Sequence, residues 1–237
     1  MLKEALSNYR IEDVRKGLTI LENSTPTVAN DLVEILSGYT IENEQIIAGG
    51  GGHAEPTTNL RDRFNEKNWD KKIVEEQHIV DGMSSKSVTH EIDHWVNYRD
   101  DYIGLEIEWN NKPPFFDRDL SNFSNLHRLE KLTIGIIITR GPNLGTKLQD
   151  IFDEWVQSNL DENREFVYSK LNKQRGKVQK QVEKNPQREI EYISKALYQS
   201  KYGQSTTHWD TLMKTIANNN GYPAPLVLIG IEPGVFN

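Results

Sequence analysis

Hydrophobic positions return along this chain with two periods, and the points where one gives way to the other divide it into elements. Within residues 29–36, Leu32, Ile35 and Leu36 recur at helical spacing, with Ser24-Thr25-Pro26 as a start signal and Gly38 as a stop, which predicts a helix. A second helix is predicted over residues 59–66, after Pro56-Thr57-Thr58. Residues 71–81, KKIVEEQHIVD, read as a short strand followed by a turn at Gly82. Leu120, Phe123, Leu126 and Leu129 mark a helix within residues 117–130. The apolar run LTIGIIIT at residues 132–139, bounded by Lys131 and Arg140-Gly141-Pro142, is a buried strand. Helices are predicted over residues 146–160, 163–200 and 209–218, the second of them broken at Asn185-Pro186. Pro225 opens another buried strand that runs to Ile231. Helices alternating with a central group of buried strands predict an α/β layered fold.

Residues 88–110, VTHEIDHWVNYRDDYIGLEIEWN, accept two readings. As a helix, Val88, Ile92, Trp95 and Val96 form one stripe, and His90-Glu91-Ile92-Asp93-His94 is an H-E-x-x-H that would set two imidazoles one turn apart around zinc, with Glu91 as base. A zinc peptidase needs a third ligand, and only Glu106 or Glu108 follows closely. As strands, Leu105, Ile107 and Trp109 point to one side while Glu106 and Glu108 point to the other. The polar stretch Asn97-Tyr98-Arg99-Asp100-Asp101 suits a hairpin that returns Asp93 beside Glu106. Gathered carboxylates repel, so a divalent cation is their natural neutraliser.

Composition narrows the chemistry. The 237-residue chain contains no cysteine, which excludes disulfides, thiolate zinc sites and cysteine nucleophiles. No N-terminal apolar leader and no run of roughly 20 apolar residues is present, so a protein of the cytoplasm with no membrane association is expected. The net charge of -7 argues against indiscriminate coating of nucleic acid. Charge is unevenly placed, however: Lys170, Lys173, Arg175, Lys177, Lys180, Lys184 and Arg188 face only Glu183 within their stretch. The whole of residues 1–237 is expected to form one domain, with residues 146–202 as a helical, lysine-rich insertion or subdomain. The glycine run Gly49-Gly50-Gly51-Gly52 lacks the Lys-Ser/Thr ending of a P-loop and reads as a turn or an anion contact.

Asp93 with Glu106-Ile107-Glu108 resembles the active site of the PD-(D/E)xK nucleases. Thr58-Asn59-Leu60-Arg61-Asp62-Arg63-Phe64, Lys67-Asn68-Trp69, Ile92-Asp93-His94, Leu105-Glu106-Ile107-Glu108-Trp109-Asn110, Gly135-Ile136-Ile137-Ile138-Thr139-Arg140-Gly141 and the final Ala224–Ile231 stretch (224–231) resemble, in order, the BglII and BstYI group of type II restriction endonucleases. The similarity covers residues 56–145 and 203–233, with gaps. The resemblance implies a restriction-endonuclease-like fold and a homodimer that hydrolyses phosphodiester bonds in a short palindromic double-stranded DNA sequence, with GATC at its centre in the relatives. It implies magnesium held by Asp93, Glu106 and the Ile107 carbonyl, with Glu108 acting on the attacking water.

Base reading is implied for Asn110, Asn111 and Lys112 after the catalytic strand, and for Gln204, Ser205, Thr206, Thr207 and His208 before the last helix. Amides, hydroxyls and lysine suit major-groove edges. Backbone phosphates are expected to meet Gly51, Gly52, Lys173, Arg175 and Lys177. The chain departs from the pattern in carrying Glu108 where those relatives carry Gln, as the related BamHI arrangement does, and in a longer stretch between Asp93 and Glu106. Alternatives at this stage are another nuclease of the superfamily serving repair or acting on modified DNA, the zinc peptidase, and a noncatalytic DNA-binding module.

Overall fold

A computed structural model describes residues 1–47 and 54–237. Its elements in chain order are α1 (Leu2–Ala5), β1 (Tyr9–Val14), α2 (Gly17–Ser24), α3 (Pro26–Ser37), α4 (Asn43–Ile47), α5 (Glu55–Glu66), β2 (Asp70–Val80), β3 (Met83–Tyr98), β4 (Asp101–Glu108), α6 (Pro114–Arg128), β5 (Ile134–Arg140), α7 (Leu144–Asn159), α8 (Arg164–Ser169), α9 (Arg175–Lys184), α10 (Glu189–Tyr202), α11 (Trp209–Ala217) and β6 (Leu226–Ile231). The strands form a mixed sheet in the order β1-β6-β5-β4-β3-β2. β4, β5 and β6 run parallel to one another through crossovers, and the pairs β3–β4, β2–β3 and β1–β6 are antiparallel.

Two core layers follow from strand alternation. Ile103, Leu105, Ile107, Ile136, Ile138, Val227 and Ile229 pack beneath α3, α5, α7 and α10. Ile137, Leu226 and Leu228 pack against α6 and α11 on the other face, with Phe116, Leu120, Phe123 and Leu212. Leu148, Phe152, Ile193 and Leu197 join the first layer, so α7 and α10 help to form the core under the sheet.

The predicted helices at 29–36, 59–66, 117–130 and 209–218 and the strands at 132–139 and 225–231 are all present, with ends shifted by a few residues. Three features differ. The stretch 163–200 breaks near residues 170–174 as well as at Asn185-Pro186, into α8, α9 and α10. β2 is an eleven-residue strand, closed onto β3 by Asp81 and Gly82, both at positive φ. This is the backbone that a tight two-residue hairpin requires. Finally, α1, β1, α2 and α4 were not foreseen; β1 alternates over too few residues to announce itself.

β3 carries a bulge. Asp70 pairs with Trp95 and Lys72 with Ile92, two steps along β2 against three along β3. The extra residue lies at Asp93-His94, and it keeps Ile92 and Trp95 on the α6 face although they are three apart. The hairpin to β4 turns on Arg99 and Asp100, and its register sets His94 opposite Leu105. One residue further, Asp93 and Glu106 meet. The added length between them is thus taken up in paired strand rather than in a loose turn.

Candidate active site

β4 turns Glu106 and Glu108 toward α6, where both are 2% exposed. Facing them from α6 is Asp119, fully buried. Its Oδ1 accepts from Arg118 Nε at 2.9 Å and Nη2 at 2.7 Å, and Arg118 Nη2 stands 3.8 Å from Glu108 Oε1. Asn111 Nδ2 donates to Glu108 Oε2 at 2.9 Å. The Asp93 amide, released from regular pairing by the bulge, donates to Glu106 Oε2 at 3.3 Å, while the Asp93 carboxylate accepts from Arg61 Nη2 of α5 at 3.0 Å.

Burial and mutual repulsion dominate the electrostatics. Desolvation, then the charges of Asp119 and Asp93, hold the Glu106 carboxyl well above the usual range. Desolvation, then Asp119, raises Glu108 to about 8. Asp119 itself is lifted to about 6 by burial, against the pull of Arg118. Acids this close cannot all ionise without a cation. Glu106 Oε1 and Asp119 Oδ2 are buried with no hydrogen-bond donor, so hard oxygen ligands with vacant lone pairs are present, and the donor set fits magnesium or a similar ion. Among the described residues no three His, Cys, Asp or Glu side chains already form a cation cage, and Arg61 occupies one oxygen of Asp93.

The H-E-x-x-H takes no part in this cluster. Its helix does not exist, because residues 83–98 are strand. The bulge then sends the two imidazoles apart. His90 Nδ1 bonds Asn122 Oδ1 of α6 at 3.0 Å, whereas His94 Nδ1 donates to the Trp69 carbonyl at 2.9 Å and its ring lies 5.1 Å from Phe64 of α5. Two histidines on opposite faces of a sheet cannot hold one zinc ion.

The residues expected to read bases divide into two sets. Lys112, Gln204 and Ser205 are exposed and Asn110 is half-buried. The others hold the loops in place. Thr207 is fully buried; its amide donates to the Asn111 carbonyl at 2.8 Å and its hydroxyl accepts from the Asn111 amide at 3.1 Å. Thr206 Oγ1 accepts from Arg140, and His208 Nδ1 donates to the Thr206 carbonyl at 2.7 Å at the start of α11. Ile107 buries its side chain on the α5 face, leaving only its backbone for any ligand role. Lys173 and Lys177 are exposed on the α9 side, but Arg175 is spoken for by a two-pronged pair with Glu165 at 2.7 and 2.9 Å. Gly51 and Gly52 lie outside the described residues.

Asp119 escaped the sequence reading although a signal existed. It lies on the apolar stripe of α6 between Phe116, Leu120 and Phe123, where a charge has no packing value. The family model described as restriction endonuclease BglII/BglIII matches residues 9–231, which spans the sheet from β1 to β6. No individual curated protein matches the chain.

Proposed function

The chain belongs to the BglII/BglIII restriction endonuclease family and is therefore a site-specific deoxyribonuclease, and on that premise we propose a magnesium-dependent type II enzyme that works as a homodimer on a short palindromic duplex. The observation that supports the metal requirement is the buried acid pair on β4, set against Asp119 with acceptor oxygens left vacant. Two copies related by a twofold axis would place one such site on each strand of a twofold-symmetric sequence.

In this reading Asp93, Glu106 and the Ile107 carbonyl would hold magnesium. Bound there, the ion lowers the pKa of water and offsets charge on the scissile phosphate. Glu108, aimed by the Asn111 amide, would accept the proton of the attacking water once a bound cation offsets the repulsion that keeps its carboxyl raised. Asp119, held by Arg118, faces Glu108 from α6 and keeps its carboxyl raised. Arg61 must yield its hold on Asp93, or turn to the phosphate, for that carboxylate to reach the ion.

Incubating the protein with magnesium and a plasmid of known sequence, then mapping fragment ends, gives activity, recognition site and cut position together. Glu106→Ala should lower cleavage by about a thousandfold while leaving duplex binding intact in a gel-shift assay. His90→Ala should lose far less. A wild-type protein that cuts no DNA with any divalent ion, or a fully active Glu106→Ala, would overturn the reading.

A further inference from the structure

Arg140, at the end of β5, has all three guanidinium nitrogens engaged, and the acid cluster does not use it. It is 3% exposed. Among the described residues it has no carboxylate partner. Every acceptor is neutral: its Nε reaches the carbonyls of Trp109 at 2.8 Å and Thr207 at 3.1 Å, its Nη1 that of Tyr202 at 3.0 Å, and its Nη2 that of Thr207 at 2.7 Å and the Thr206 hydroxyl at 2.6 Å. The Tyr202 ring lies 5.4 Å from the guanidinium carbon. Burial lowers its pKa to about 10, so it carries its charge at neutrality.

A lone buried cation is a costly way to fill space. What a guanidinium offers that an apolar side chain does not is a rigid fork of donors pointing in several directions at once. Here the prongs address two separate pieces of chain. One leaves β4 through Trp109 and Asn111; the other leaves α10 through Tyr202 and enters α11 after Thr207. These are the loops that carry Asn110, Lys112, Gln204 and Ser205. The loops also bond to each other through Asn111 and Thr207, and Asn111 bonds onward to Glu108.

We propose that Arg140 is a specificity-determining positioning residue: it locks the two loops into one rigid reading surface, and Asn111 ties that surface to the carboxylate acting on water. Base contacts and alignment of Glu108 then succeed or fail together. Asn110, Lys112, Gln204 and Ser205 are the readers; Arg140, Asn111, Thr206 and Thr207 are their frame. The inference rests on the reading of the chain as a nuclease that cuts at a defined sequence with Glu108 on the water.

The test takes the full chain with magnesium, maps the wild-type cleavage site on a plasmid, and then measures kcat and KM on short duplexes carrying that site and each of its single-base changes. Arg140→Lys keeps the charge and loses the fork, Thr207→Val cuts one bond between the loops, and Asn111→Ala cuts the link to Glu108. Arg140→Lys and Thr207→Val should reduce discrimination between the true and the changed sites about tenfold or more, a loss comparable to that of one base contact. Asn111→Ala should lower kcat at the true site with little change in KM. Should Arg140→Lys fail to melt cooperatively, the other two variants decide. Discrimination within about threefold of wild type in the folded variants, with all sites slowed equally, assigns Arg140 to stability alone and overturns the inference. A wild-type protein that cuts nothing overturns the nuclease reading itself; one that cuts at a defined site while the variants keep its discrimination overturns only this inference.

Discussion

Glu108 and Asp119 sit where water would normally keep carboxylates ionised, and they have been taken out of it. Glu108 rises from 4.5 to about 8 and Asp119 from 3.8 to about 6, burial being the main cause in both. Their native values lie above those of the unfolded chain, so between about pH 4 and pH 8 the native protein holds protons that the unfolded chain has released. Stability therefore falls as pH rises: the contribution is fully present below the unfolded values and is lost as pH passes about 6 and then about 8. Thermal melts of the metal-free protein should show a decline from pH 5 to pH 8.5. Glu108→Gln and Asp119→Asn should flatten it, and a divalent ion should raise the melting temperature more at pH 8 than at pH 5. A decline equally steep in both variants would show that other groups cause it.

At the scale of elements, glycines let α6 lie close to the sheet. A Cβ on Gly135 of β5 would run into the Phe123 ring, whereas one on Gly176 of α9 would meet nothing within 4 Å. Gly135→Ala should cost about 1–3 kcal/mol in urea denaturation through overpacking. Gly176→Ala should be neutral or stabilise by up to about 1 kcal/mol through helix propensity. A neutral Gly135→Ala would mean that α6 can shift outward. Much of this layer was legible: Leu105-Glu106-Ile107-Glu108 announced a strand with acids on one side, and α6 announced its own apolar stripe. The bulge was not, because an extra residue has no period. It left a misleading trace instead: Ile92 and Trp95 on one face at a spacing of three imitate a helix, and so the H-E-x-x-H looked plausible. Arg140 was equally hidden, since its acceptors are backbone carbonyls from positions far away in sequence.

Over the whole molecule, the basic stretch is less cationic than composition suggests. Arg175 pairs with Glu165 and Arg188 with Glu191, acids just outside the stretch or beside it. If α9 touches phosphates, Lys173→Ala and Lys177→Ala should each lower the slope of log affinity against log salt by about one, and Arg175→Ala by less. Unchanged slopes in the two lysine variants would remove α9 from the DNA. Among the described residues no helix is long and apolar enough to cross a membrane. The strand order carries a last consequence. β6 lies between β5 and β1, and all six of its residues are buried. Until residues 226–231 are available, β1 has no partner and β5 keeps an unpaired edge, although β1 leaves the ribosome first. A chain cut short before residue 226 should show no cooperative melt by circular dichroism. For a nuclease, this would tie the cutting edge on β4 to a strand made much later: a chain released before β6 would lack the complete sheet that holds the acids of β4 in place.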